Sequence, residues 1–159
     1  MPNWRIHNKW AEKLAVGQEA SELVNLLIDF PTKCQEYVTF CETGNDARVF
    51  SKGKPTTMTS LLLERHDSAR SRTVLRDVQL RFLRQKGAMY VRAWYLHQML
   101  DYLEWWCRNT LRQGCPAIKD ILTPRRLVKK IGPLEDADLQ CVRNFVVGHS
   151  EEVMFDCGS

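Results

Sequence analysis

Between Met89 and Arg112 the chain reads MYVRAWYLHQMLDYLEWWCRNTLR, the longest run that stays apolar on more than one side at helical spacing. A helix of that kind has to be enclosed by other helices, so this segment is the expected hub of a helical domain. Four polar residues interrupt it in register: His97, Asp101, Glu104 and Arg108 fall at i, i+4, i+7 and i+11, along one stripe. Such a seam either faces solvent as a row of i,i+4 pairs or lines a site.

The flanking segments have the same period. NKWAEKLAV and QEASELVNLLIDF read as two helices broken at Gly17, the second with Leu23, Val24, Leu27 and Ile28 on its apolar face. Pro31 ends that helix and is placed to begin a third, TKCQEYVTFC. From Glu42 to Thr57, Gly44, Asn45, Gly53 and Pro55 indicate an exposed loop. A helix is expected from about Ser71, ending at Gly87 before the hub. TPRRLVKKI predicts a short helix with Thr123 as N-cap, and LEDADLQCVRNFVV a last one that stops near Gly148. No strand-like alternation of useful length occurs. The expected fold is all-α, a bundle of about six helices around a long central one. Residues 1–159 are expected to form a single domain, with residues 1–57 as a candidate N-terminal subregion.

A net charge of +4 conceals a segregation. Residues 1–50 hold five Lys/Arg against seven Asp/Glu, residues 51–132 hold 17 against six, and residues 133–159 hold one against six. The basic middle is suited to nucleic acid or another acidic partner, and the charge alone does not say which. Arg72, Arg76, Arg81 and Arg84 before the hub, and Arg125, Arg126, Lys129 and Lys130 after it, are the candidate nucleic-acid contacts. No apolar run reaches the length of a membrane span and the N-terminus carries no apolar signal core, so the expectation is a cytoplasmic protein with no membrane contact. The six cysteines contain no CxxC pair, which argues against a zinc ribbon and for reduced thiols, with Cys107 and Cys141 inside apolar patterns.

Near the C-terminus stands Arg143-Asn144-Phe145-Val146-Val147-Gly148-His149. This string resembles the motif of the HEPN superfamily, an arginine and a polar residue followed at short spacing by a histidine; here five residues intervene. The resemblance extends to the hub, since AWYLHQMLDYLEWW is similar to the long helix of HEPN domains. It implies metal-independent RNA cleavage by attack of the 2'-oxygen, with no cofactor, His149 as general base, Arg143 as phosphate clamp and Asn144 orienting. It also implies a homodimer, and it allows for an antitoxin-like partner. His97 and Asp101 are then expected behind the site, one or the other paired to Arg143. The chemistry is sound for these residue types, because imidazole titrates near neutrality and guanidinium stays charged. One condition attaches. Six residues turn an unbroken helix by about 240°, so the helix must end at Gly148 for His149 to swing back toward Arg143.

The histidines support a different chemistry as well. His66 adjoins Asp67 and His97 precedes Asp101 by four, and an adjacent His-Asp pair resembles the signature of HD-type metal phosphohydrolases. On that alternative His7, His66, Asp67, His97 and Asp101 are the candidate ligands of a divalent metal ion. A third class, a non-catalytic helical module that binds nucleic acid or a protein partner, requires only the basic middle and the five tryptophans.

Overall fold

The longest helix, Ala88–Thr110, is in contact with most of the others in the computed structural model, which describes residues 4–43, 72–110, 117–131 and 136–158. In chain order the described α-helices are α1 (Trp4–Lys13), α2 (Gln18–Asp29), α3 (Gln35–Thr43), α4 (Arg72–Lys86), α5 (Ala88–Thr110), α6 (Ile118–Ile121), α7 (Pro124–Lys130), α8 (Ala137–Gly148) and α9 (Ser150–Gly158). Helix α5 is the hub: α1, α2, α4, α8 and α9 all pack on it. Val91, Trp94, Leu96, Met99, Leu100 and Leu103 are buried on several of its sides, as an enclosed helix requires. The all-α bundle expected from the periodicity is present, and no strand occurs among the described residues.

The first two helices hold their expected places, but the break between them is made differently. Gly17 has φ −63° and serves as an extended N-cap of α2; the left-handed residue is Ala15, at φ 63°. There the chain folds back on itself, with Val16 N–H donating to Ala11 C=O at 2.8 Å. Pro31 does not begin α3. It opens a 3-10 turn, Pro31–Lys33, closed by Cys34 N–H on Pro31 C=O at 3.2 Å, and α3 starts only at Gln35.

Around the hub the other boundaries are close to expectation. Gly87 alone separates α4 from α5, at φ 132°, a conformation open to glycine and strained for other residues. Leu75, Val78, Phe82 and Leu83 turn the apolar face of α4 inward. Thr123 does precede α7, although its hydroxyl makes no capping hydrogen bond. Each of the seven helical segments named from the sequence has its helix, and α6 and α9 make up the nine described. Helix α9 continues directly after His149 and buries Val153 and Cys157 against the hub, so Gly148 ends one helix without ending the helical chain. Cys34, Cys41, Cys107 and Cys157 are buried and Cys141 is half-buried. Among the described residues no helix is long and apolar enough to cross a membrane.

Candidate metal centre

Helix α1 buries Ile6, His7, Trp10 and Ala11, so the spacing that directs Trp10 into the core directs His7 there too. It meets the hub where His97 and Asp101 lie one turn apart. His7 Nε2 is 3.0 Å from Asp101 Oδ1, His97 Nε2 is 3.2 Å from Asp101 Oδ2, and the two imidazole rings lie 4.1 Å apart between centroids. One nitrogen of each histidine and one oxygen of Asp101 all lie within 4.8 Å of one another, a spacing a single metal ion could bridge. The histidines are fully enclosed, and Asp101, 27% exposed, is where the cluster reaches solvent.

Helix α2 supplies the surroundings. Asp29 Oδ1 stands 3.7 Å from His97 Nε2, and Asp29 Oδ2 accepts from Trp4 Nε1 at 2.7 Å. Asn25 Oδ1 lies 2.8 Å from His97 Nδ1; a carbonyl oxygen only accepts, so Nδ1 carries the hydrogen. Asn25 is oriented in turn by donating to Asn8 Oδ1 at 2.9 Å, an oxygen that also accepts from Ser21 Oγ at 2.6 Å. A buried imidazole held this way by its far nitrogen is the usual support of a histidine metal ligand. The sequence reading passed over Asn25 and Asp29 because α2 was scored by its leucines. Their signal was present: Ser21, Asn25 and Asp29 fall at i, i+4 and i+8, along one stripe of the helix.

The electrostatics are those of a site built for positive charge. Burial works against the His97 imidazolium, but Asp101 and Asp29 outweigh it and raise the group to about 9. Burial and the adjacent His97 lower His7, which is held neutral. Asp29 is lowered overall, since its bonds to His97 and Trp4 overcome the opposing effect of burial. Glu104, one turn on, is raised by burial and by Asp101. Neither nitrogen of His7 makes a hydrogen bond; Nε2 is within ion-pair distance of Asp101 but not aligned for one. An enclosed imidazole without an aligned hydrogen-bond partner costs stability, part of which coordination through Nε2 would recover.

The remaining candidates are dispersed. The Arg143 guanidinium donates from Nε to Leu122 C=O at 3.0 Å, while Asn144 is exposed. His149 places Nδ1 2.9 Å from Phe145 C=O and packs its ring against Phe145 and Trp10. It is the C-cap of α8 at φ −114°, and Gly148 is not left-handed. Arg143 and His149 hydrogen-bond to different carbonyls, and the contacts described above for His97 and Asp101 are with His7, Asn25, Asp29 and each other. Of the basic residues, Arg84 is engaged by Asp136 at 3.2 Å and Arg76 lies 3.7 Å from Asp77. Arg81 is exposed on α4; Arg72 begins that helix. Arg125, Arg126, Lys129 and Lys130 lie on α7. His66 and Asp67 lie outside the described residues. No family model, curated protein or solved structure matches the chain.

Proposed function

We propose that the protein binds a divalent transition metal ion through His7, His97 and Asp101 and uses it to hydrolyse a phosphate ester. One observation carries the reading: two buried histidines from helices far apart in the chain meet at one carboxylate, with the tautomer of His97 fixed by Asn25. Two imidazoles with one or two carboxylates suit zinc, manganese or iron. Asp29 supplies the second carboxylate, and the partial exposure of Asp101 gives a substrate its approach. A metal in such a place lowers the pKa of bound water and polarises a phosphoryl oxygen. The basic charge of residues 51–132 accords with an anionic substrate.

Metal analysis after chelation and reloading tests this directly. One ion per chain is expected in the wild type and none in His97→Ala or Asp101→Asn, and hydrolysis of bis(p-nitrophenyl) phosphate should depend on the reloaded metal. A wild-type chain that retains no zinc, manganese or iron ends the reading. The HEPN-like ribonuclease is the second reading. It is favoured by the exposure of His149, whose Nδ1 bond to Phe145 leaves Nε2 available as a base. It needs a homodimer to bring Arg143 of one copy toward His149 of the other. RNA cleavage that persists in EDTA and disappears in His149→Ala would establish it in place of the metal enzyme.

A further inference from the structure

The C-terminal end of α5 carries a feature that the metal centre does not use. Tyr102 and Trp105 lie nearly parallel, 10° apart with centroids at 6.2 Å, and Trp106 meets them edge-on at 71° and 62°. Helix α7 brings cations onto these rings. Arg126 sits over Trp106 at 4.6 Å, and Lys130 Nζ lies 5.8 Å from the Tyr102 ring and 5.9 Å from that of Trp105. Arg125 and Lys129 stand exposed on the same short helix. No carboxylate among the described residues pairs with any of these four cations, and Trp105 remains 53% exposed.

We infer that this surface binds single-stranded nucleic acid, with an unpaired base stacked on Trp105 and its phosphates against the cations of α7. Every base offers a π-face to an exposed indole, and lysine and arginine beside the ring neutralise the backbone that accompanies it. A duplex keeps its bases stacked internally and gains little from the ring. An acidic peptide would satisfy the cations but offers the parallel Tyr102 and Trp105 rings nothing equivalent. The surface stands without the metal, while its bearing on substrate rests on the metal reading. Trp105 follows Asp101 by one helical turn, about 6 Å along α5, so a strand held there passes the solvent-facing ligand of the candidate centre.

Fluorescence anisotropy with a labelled uridine oligoribonucleotide, measured in EDTA so that the metal plays no part, tests the inference. Binding is expected, weakened about 10-fold or more in Trp105→Ala and largely retained in Trp105→Phe. Lys129→Ala and Lys130→Ala should each lower the steepness of the salt dependence by roughly one unit. Metal content of Trp105→Ala should equal that of the wild type, which separates this surface from the centre beside it. The inference is overturned by a wild-type chain that does not bind the oligonucleotide, by unchanged binding in Trp105→Ala, by a duplex bound as tightly as the single strand, or by preference for polyglutamate.

Discussion

His97 donates its Nδ1 hydrogen to Asn25 Oδ1 at 2.8 Å, and that bond decides which nitrogen faces Asp101. With Nδ1 committed, Nε2 is the atom turned toward the two carboxylates, available to a proton or to a metal. Removing the acceptor leaves His97 in place but frees its ring to rotate and change tautomer. Asn25→Ala is therefore expected to weaken metal affinity by about 10- to 100-fold without abolishing it. Competition against a chromogenic chelator measures this; an affinity equal to wild type would show that Asn25 only packs.

Because the ligands come from α1 and α5, an ion that joins them ties the N-terminal helix to the hub and should raise stability by mass action. At free metal about 100-fold above Kd the gain is about 2.7 kcal/mol, visible as a higher Tm. Ligand nitrogens and oxygens must be free of protons to coordinate, so the gain should grow as pH rises and fade in acid. His7→Ala is expected to remove the metal-dependent rise. A rise that survives in that variant would place the ion elsewhere.

The hub was legible because an apolar pattern that goes round a helix has no stable alternative to enclosure, and Leu96, Met99, Leu100 and Leu103 are accordingly buried. The i,i+4 pairing of His97 with Asp101 was legible for the same local reason. What local spacing could not give was the arrival of His7, which depends on how α1 crosses the hub, a property of the assembled core. Asn25 and Asp29 were hidden by their leucine neighbours. Helix α9 was missed because Gly148 reads as a stop, while Val153 and Cys157, one turn apart, are a thin apolar signal.

Asp136 caps α8 and also joins it to α4 and α5. Its side chain accepts from Asp138 N–H at 2.9 Å, from Arg84 at 3.2 Å and from the Tyr95 hydroxyl. Burial raises the carboxyl, but these donors prevail and hold it below the ordinary carboxylate range. A lowered folded pKa means that the stabilisation is present above the unfolded value and is lost as pH falls through the folded one. Asp136→Ala should cost about 1–2 kcal/mol near neutrality, and Tyr95→Phe about 1 kcal/mol. Urea unfolding across the acid range should show the gap between wild type and Asp136→Ala narrowing as pH falls. A gap independent of pH would mean that the ionised carboxylate is not what holds α8.

Two backbone positions make the same demand for a positive φ, and only one of them has the residue that suits it. Ala15 occupies φ 63° between α1 and α2, where its Cβ crowds the following carbonyl at a cost of roughly 1–2 kcal/mol. Gly87 occupies φ 132° between α4 and α5, where an added Cβ meets nothing within 4 Å yet the backbone itself is strained for an L residue. Ala15→Gly is thus expected to stabilise by about 1 kcal/mol, after the extra chain entropy of glycine is set against the relieved strain. Gly87→Ala should destabilise by about 1–3 kcal/mol. Gly17→Ala and Gly148→Ala, at ordinary φ with open space around the added methyl, should be near neutral. Midpoints of urea unfolding compare the four. Should Gly148→Ala prove as damaging as Gly87→Ala, the junction of α8 and α9 needs a glycine conformation that the structure does not show, and the approach of His149 to Arg143 would have to be reconsidered.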